Sequence, residues 1–180
     1  MKKIVLLGDS IRMNYGSLVP SLLSDMTVWQ PEDNCRFAKY TLRGIYDWRR
    51  HIEGADVVHW NNGLWDTCEL FGDDPFTDAE EYVRTMLRVA RELKKMSKTV
   101  IFATTTPVSP QNTGNSTTRV AAYNSAVVPL LEAEGVRIND LFGLVSPKVA
   151  EYICEDTIHL SAAGVEACAR QVAASIRAAL

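Results

Sequence analysis

Three residues of this chain have the side chains that nucleophilic catalysis requires: Ser10, Asp156 and His159. A serine hydroxyl becomes an effective nucleophile when a base accepts its proton, and an imidazole serves as that base when a carboxylate fixes its tautomer. Asp156 and His159 are three residues apart, so one turn of the chain can place the carboxylate beside the ring. These residues predict a serine nucleophile served by a locally oriented acid–histidine pair.

Elimination supports His159 as the base, because the chain has only 3 histidines. His51 lies beside Arg49 and Arg50 in a predicted helix and is expected at the surface. His59 lies inside an apolar strand, where a hydrogen-bonded core histidine is the expected role. His159 remains, in a loop before a helix and with an acid beside it.

Ser10 stands at a place that suits this chemistry. Ile4–Leu7 is a continuous apolar run rich in β-branched residues, typical of a strand buried on both faces of a parallel sheet. The sequence Gly-Asp-Ser ends this strand and puts the Ser10 hydroxyl at its carboxyl end, where open α/β sheets bind ligands. Serine is also a common helix N-cap, so Ser10 taken alone leaves both roles open.

The rest of the chain alternates strands with helices, without an internal repeat. Strands are predicted at Ile4–Leu7, Met26–Trp29, Ala55–Trp60, Lys98–Ala103 and Val136–Leu141. Helices are predicted at Ser17–Ser24, from an N-cap at Thr41 to Glu53, at Asp78–Met96, at Arg119–Glu134 before Gly135, at Pro147–Ile153, and after an N-cap at Ser161.

This alternation predicts an α/β fold: a three-layer α/β/α sandwich around a five-stranded parallel sheet. The carboxyl ends of parallel strands meet at one edge of the sheet. Ser10, Asn61 and the Asp156–His159 pair all fall at that edge, which brings the polar groups of three distant segments together. Residues 1–180 are predicted to form a single domain, since 180 residues suffice for one core.

Composition limits the partners. A net charge of −3 and the lack of a basic cluster with interleaved aromatics predict no nucleic-acid partner. The apolar run at Ile4 is too short for a signal peptide, and no stretch approaches membrane-spanning length, so neither a leader nor a membrane partner is expected. The four cysteines are scattered along the chain without a C-x-x-C pair: Cys35, Cys68, Cys154 and Cys168. Their spacing predicts reduced thiols and a cytoplasmic location. Neither a metal nor a cofactor is expected.

Gly-Asp-Ser at 8–10, Asn61 after the third strand and Asp-x-x-His before the last helix together resemble the SGNH (GDSL) hydrolases, a family of serine esterases and lipases. The resemblance covers nearly the whole chain, in the right order. It implies a flavodoxin-like fold with Ser10 as nucleophile, His159 as general base and then acid, and Asp156 orienting His159. It also implies an oxyanion hole built from the Ser10 main-chain N–H, a side-chain amide and one further main-chain N–H.

The amide of the oxyanion hole has two candidates. The family's third block usually reads Gly-x-Asn-Asp, whereas here residues 59–63 read His-Trp-Asn-Asn-Gly. Asn61 is the first residue past the strand and is the preferred match, with Asn62 as the alternative. Both also fit an ordinary Asn-Gly turn.

The second main-chain donor is harder to place, because the family's second-block glycine is missing here. Aligning Asn34 and Thr41 with the family pattern puts this donor at Lys39, and a main-chain N–H does not require glycine. Gly44 is the alternative, although it would lie in the first turn of a helix capped by Thr41.

On the substrate side, the loops that follow the third and fourth strands are expected to stand over the site. Trp60, Asn62 and Trp65 are the residues expected to line it. A small-molecule ester is the predicted substrate, with a small acyl group such as acetyl on a carbohydrate preferred.

Other functions remain open on the sequence alone. The same residues would serve an acyltransferase, a lysophospholipase or a thioesterase. In a non-catalytic flavodoxin-like binding module, Ser10 would be a cap, and Asp156 and His159 surface residues. Neither nucleotide-binding fingerprint is present after the first strand, and the acid–histidine pair is too small a ligand set for a metal hydrolase. The sequence does not define the oligomeric state.

Overall fold

The computed structural model describes residues 1–180 as five strands and nine α-helices. The strands are Lys3–Leu7 (β1), Thr27–Trp29 (β2), Ala55–Trp60 (β3), Ser97–Ala103 (β4) and Arg137–Asn139 (β5). The helices are Ser10–Gly16 (α1), Val19–Leu22 (α2), Ala38–Asp47 (α3), Arg49–Ile52 (α4), Ala79–Met96 (α5), Thr117–Ala133 (α6), Leu141–Val145 (α7), Val149–Tyr152 (α8) and Ala162–Arg177 (α9). A 3-10 turn, Ser146–Lys148, joins α7 to α8.

The five strands form one parallel sheet in the order β2-β1-β3-β4-β5. At its centre, β1 pairs with β3 from Ile4 opposite Val57 to Leu7 opposite Trp60. This register ends both strands at the same level, so the residues that follow Leu7 and Trp60 are neighbours. The predicted five-stranded parallel sheet between two helical layers is confirmed.

Apolar cores lie on both faces of the sheet, because alternate residues of each central strand point to opposite sides. Ile4 and Leu6 belong to one cluster of 21 buried residues, and Val5 and Leu7 belong to the other, also of 21. Fully burying a side chain of this kind stabilises the fold by roughly 1.5–3 kcal/mol. The strand that carries the Gly-Asp-Ser sequence is therefore among the best-anchored parts of the molecule.

The first helix starts earlier than predicted. Instead of a loose turn before a helix at Ser17–Ser24, α1 begins at Ser10 and α2 follows it. Asp9, not Ser10, is the N-cap, because its side chain accepts a hydrogen bond from the Ile11 N–H. Capping by Asp9 leaves the Ser10 hydroxyl available for another partner.

The helix predicted from Thr41 also begins earlier, at Ala38. Its N-cap is Phe37, which offers no side-chain acceptor. The Ala38 N–H donates instead to the carboxylate of Asp66, from a segment 28 residues away. Thr41 lies inside the helix, where its hydroxyl donates to the Cys35 carbonyl at 3.1 Å.

Two other helices are capped by side chains that are close in sequence, one of them at the predicted N-cap Ser161. The Asp78 side chain accepts from the Glu81 N–H at the start of α5, and the Ser161 hydroxyl accepts from the Gly164 N–H at the start of α9. Between β5 and α9 the chain forms α7, the 3-10 turn and α8 in place of the predicted helix Pro147–Ile153. None of the helices is both long enough and apolar enough to span a bilayer.

Candidate active site

Ser10, His159 and Asp156 lie in one hydrogen-bonded line. The Nε2 atom of His159 lies 2.8 Å from the Ser10 Oγ, and its Nδ1 atom lies 2.6 Å from the Asp156 Oδ2. An ionised carboxylate only accepts hydrogen bonds, so Nδ1 carries the ring proton and Nε2 presents its lone pair to the serine hydroxyl. This is the geometry that general-base activation of a serine requires.

Main-chain donors keep Asp156 ionised. Loss of surrounding water opposes ionisation, but the His159 N–H donates to Oδ1 at 2.8 Å and the Ile158 N–H at 2.9 Å. Together with the hydrogen bond from the His159 ring, these donors bring the pKa of Asp156 well below its ordinary value. The negative charge that fixes the histidine tautomer is therefore built into the turn itself.

The segment that carries this pair is fixed to the rest of the fold. Ile153 and Leu160 form an isolated antiparallel bridge, and the Cys154 N–H donates to the His159 carbonyl at 2.8 Å. The Leu160 N–H donates to the Asn14 Oδ1 on α1 at 3.2 Å. Because α1 also carries the serine, this last hydrogen bond links the segment of His159 directly to the helix of Ser10.

Asn61 is the amide that the fold places beside the Gly-Asp-Ser sequence. Its Nδ2 atom donates to the Asp9 Oδ1 at 2.8 Å, and its Oδ1 accepts from the Tyr15 hydroxyl at 3.3 Å. An amide nitrogen has two hydrogens, so one N–H of Asn61 stays available. The Ser10 main-chain N–H also has no acceptor within the protein, since the Asp9 cap bonds to Ile11.

Gly8 makes this approach of Asn61 possible. A Cβ atom at Gly8 would overlap the Asn61 Oδ1 and would lie 2.7 Å from the Arg12 Cβ, and the φ angle of +153° is one that residues with side chains rarely adopt. The glycine of the Gly-Asp-Ser sequence therefore has a steric role in seating the amide.

Asp9 is the buried partner of Asn61. Burial raises the pKa of Asp9, and hydrogen bonds from Asn61 and the Ile11 N–H only partly offset this effect. Its Oδ2 atom has no hydrogen-bond partner in the protein. Burying the Asp9 carboxyl with one oxygen unpaired costs folding free energy, and the same carboxyl holds Asn61 in place.

Asn62 turns away from Ser10. Its Nδ2 atom donates to the Arg36 carbonyl at 2.8 Å, and its own carbonyl accepts from the Tyr82 and Thr105 hydroxyls. These contacts fasten the loop that leads into α3. Of the two aligned asparagines, only Asn61 contacts the Gly-Asp-Ser sequence.

Lys39 is the second residue of α3. Its main-chain N–H lies in the first turn of the helix and makes no hydrogen bond within the protein, while its ammonium group pairs with Glu81 at the surface. Gly44 lies in the helix interior, where N–H groups bond to carbonyls four residues earlier. A Cβ atom at Gly44 would overlap the ring of Trp48, so that glycine is a packing position.

A cavity of about 280 Å³ opens beside Ser10. Of the three residues predicted to line the substrate site, it includes Trp65 but neither Trp60 nor Asn62. Trp60 is fully buried and packs on Phe102, with ring centroids 5.0 Å apart, because its side chain points into the core below the strand end. The remaining lining residues are Phe37, Leu64, Cys68, Leu70, Phe76, Asn115 and Ile158.

Asp66 has a structural role at the site that sequence reasoning missed. This fully buried carboxylate accepts from the Ala38 N–H at 3.0 Å and from the Thr77 hydroxyl at 2.9 Å. Burial raises its pKa to about 7 against the effect of these donors, and the nearby charge of Asp9 adds to the increase. Asp66 thereby ties the start of α3 to both ends of the loop around the cavity. No local pattern marks it, since its partners are distant in sequence.

The other two histidines occupy the predicted structural positions. His59 is fully buried with its Nε2 atom 3.0 Å from the Asn139 Nδ2, and burial lowers its pKa to about 3. His51 is exposed and stacks on Trp29 with ring centroids 4.3 Å apart. Neither contacts Ser10. The structure contains no group of three or more His, Cys, Asp or Glu side chains arranged to hold a metal ion.

No protein-family model matches the sequence, and no curated protein matches it either. Solved structures do match the fold. A lipase/acylhydrolase from Enterococcus faecalis superimposes with a TM-score of 0.81 at 18% identity, over 99% of this chain and 96% of that one. A GDSL-like lipase from Bacteroides thetaiotaomicron gives a TM-score of 0.78 at 14% identity, over 99% and 89%.

An acetylxylan esterase from Geobacillus stearothermophilus, solved as a catalytic mutant, also gives a TM-score of 0.78 at 19% identity, over 97% of this chain and 94% of that one. These three proteins are of the lipase, acylhydrolase and esterase class. The chain therefore has the fold of the GDSL or SGNH hydrolases, and the predicted likeness to them is confirmed at the level of the fold.

The steric role of Gly8 is open to a direct test. We expect Gly8→Ala to lower the free energy of unfolding by about 2–5 kcal/mol in urea denaturation, from backbone strain together with the clash on Asn61. Gly54→Ala is the matched control, because Gly54 has a φ of +77° but open space where the Cβ would stand. It should lose only about 1–2 kcal/mol. Equal losses would contradict a special role for Gly8.

The raised pKa of Asp66 predicts a pH dependence of stability. Between the ordinary value of 3.8 and about 7, the folded state holds a proton that the unfolded state lacks, so this group makes the protein less stable as the pH rises. Asp66→Asn keeps an acceptor for Ala38 without the charge. Between about pH 4 and about pH 7, the free energy of unfolding should fall in the wild type by about 2–4 kcal/mol more than in Asp66→Asn.

The control for this comparison is Asp73→Asn, which removes an exposed carboxylate from the same loop. Its unfolding free energy should follow the wild-type curve across the same pH range. Parallel curves for the wild type and Asp66→Asn would show that Asp66 is ionised in the folded protein throughout.

Proposed function

We propose that this protein is a serine ester hydrolase that works through an acyl-enzyme. The observation that carries the proposal is the hydrogen-bonded line from Asp156 through His159 to Ser10, at the mouth of a cavity. If Ser10 were only a helix cap, and Asp156 and His159 only surface residues, nothing would require this alignment. The names of the similar structures, which include lipases, acylhydrolases and acetylxylan esterases, support an ester as the bond that is cleaved.

In the first step, the Ser10 Oγ attacks the ester carbonyl carbon while its proton passes to the His159 Nε2. Asp156 stabilises the imidazolium that forms and holds its orientation. The tetrahedral intermediate then collapses: the bond to the alcohol oxygen breaks, and the Nε2 proton moves to that oxygen. The alcohol leaves, and the acyl group remains on Ser10.

In the second step, water replaces the alcohol. His159 takes a proton from the water as its oxygen attacks the acyl-enzyme, and the collapse of this second intermediate returns the proton to Ser10. The carboxylic acid leaves. An alcohol in place of water would give acyl transfer with the same residues, so competing acceptors in the assay measure the share of each reaction.

The negative oxygen of both intermediates needs donors that are in place beforehand. The free N–H of Asn61, the main-chain N–H of Ser10 and that of Lys39 are the proposed three. None of these N–H groups has an acceptor within the protein. Loss of one such donor typically costs about a hundred- to a thousandfold in turnover.

The first test is covalent labelling. A fluorophosphonate should give one adduct in the intact mass of the wild type, map to Ser10, and be absent from Ser10→Ala. Ser17→Ala is the matched control, because the exposed Ser17 hydroxyl bonds only to the Asn14 carbonyl. It should label at the wild-type rate. A folded wild type that takes no label, or a label on another serine, would refute the proposal.

The second test ranks the supporting residues. We expect His159→Ala to lower kcat by about 10⁵- to 10⁶-fold, since it removes the base. Asp156→Asn should lower kcat by about 10³- to 10⁴-fold, because the amide would favour the wrong tautomer while the base remains. Both values come from steady-state hydrolysis of a p-nitrophenyl ester. The reverse ranking would mean that His159 is not the base.

A further inference from the structure

The cavity beside Ser10 has walls that are almost entirely apolar. Seven of its nine lining residues are hydrophobic, and the polar ones are Ser10 itself and Asn115. The Asn115 Oδ1 already accepts a hydrogen bond from the Thr67 hydroxyl at 2.7 Å. The Asn115 Nδ2, which makes no hydrogen bond within the protein, is therefore the one polar group of the lining, apart from Ser10, that is left for a substrate to bond with.

This lining differs from what a carbohydrate would require. A sugar carries a hydroxyl on nearly every carbon, and each hydroxyl that leaves water without a partner costs binding energy. Of the residues predicted to line the substrate site, Trp60 and Asn62 lie outside this cavity. The lining suits a hydrocarbon group, which gains by leaving water and needs no hydrogen bonds.

Aromatic rings form one wall of the cavity and stand partly open to solvent. The ring of Phe37 meets Trp65 edge-on at 5.4 Å and Phe76 at 5.8 Å between centroids. Trp65, Phe76 and Leu70 are 38%, 47% and 63% exposed. A contiguous apolar surface of this kind, next to a reactive hydroxyl, marks a place where an apolar ligand is bound.

The route of the proton from His159 indicates whether the acyl group or the alcohol group of an ester lies in the cavity. The alcohol oxygen must take its proton from the His159 Nε2, so the alcohol lies on the His159 side of Ser10. Only Ile158 comes to the cavity from the His159 loop, while five lining residues come from the loop at positions 64–76. The cavity is thus lined mainly by the loop at positions 64–76 and hardly by the segment that carries His159, which favours the acyl group over the alcohol as its occupant.

Volume sets the length of this group. A cavity of about 150 Å³ accommodates benzene, with six carbons. By that measure, the 280 Å³ beside Ser10 would hold about eleven carbons if it were filled completely. Because the cavity opens to solvent, a somewhat shorter chain is the better estimate.

We infer that this cavity binds the acyl chain of the substrate, and that the chain is a linear alkyl group of about six to ten carbons. The inference rests on the proposed function, since it takes Ser10 as the residue that accepts the acyl group.

The test is a chain-length series on each half of the ester. For p-nitrophenyl acetate, butanoate, hexanoate and octanoate, kcat/KM should rise by about threefold to fourfold per buried methylene and level off near the cavity's capacity. For ethyl, butyl and octyl acetates, kcat/KM should stay within about threefold. A maximum at acetate, or a rise that follows only the alcohol, would overturn the inference.

A pair of leucine variants checks the location. Leu70→Asn puts a polar group into the lining and should lower kcat/KM for octanoate by about tenfold more than for acetate. Leu130→Asn is the control: Leu130 is a similarly exposed leucine on α6, 44% accessible and outside the cavity. It should leave both substrates unchanged. Equal effects of the two variants on octanoate would place the chain elsewhere.

The two proposals fail in different ways. Fluorophosphonate labelling of Ser10 together with a flat or falling acyl series would overturn the acyl-chain inference and leave the serine mechanism standing. Chain-length dependence that persists unchanged in Ser10→Ala would overturn the serine mechanism and, with it, the placement of the acyl chain.

Discussion

The hydrogen bond from the Asn61 Nδ2 to the Asp9 Oδ1 joins the residues that follow two neighbouring strands, and the candidate site is arranged around it. It exists because β1 and β3 are paired in a register that ends them at the same level. It also requires that position 8 carry no side chain. Asp9 serves both sides of this junction, since the same oxygen that accepts from Asn61 also caps α1 and thereby orients Ser10.

The structure divides the site into a local part and a long-range part. Asp156 and His159 orient each other within one turn, which a sequence pattern can reveal. Caps such as Asp78 and Ser161 are local in the same way: the cap at Ser161 was predicted, and a helix was predicted to start at Asp78. The buried strands were equally predictable, because a short, continuous apolar run that ends at a glycine or a polar loop is typical of a strand covered on both faces.

The long-range part depends on contacts between segments that are distant in sequence, and no local pattern predicts them. Thr41 satisfied the local rule for an N-cap, yet α3 begins before it, because Asp66 supplies an acceptor from another loop. For Trp60, the bounds of the strand were predicted correctly. Trp60 is the last residue of that strand. The face of the sheet to which its side chain points depends on the register and on the helices packed there. These long-range features place the indole in the core.

The buried carboxyl groups and the exposed acid–histidine pair differ in their contact with water. Asp9 and Asp66 are withdrawn from water and have raised pKa values, whereas the side chains of His159 and Asp156 remain 36% and 47% exposed. The hydrogen bond between these two side chains is therefore partly screened by solvent. An apolar group seated beside Ser10 would displace water from the serine and from the donors around it. The same group that gains free energy by leaving water would then strengthen the hydrogen bonds on which the proposed proton transfer and stabilisation of the intermediate depend.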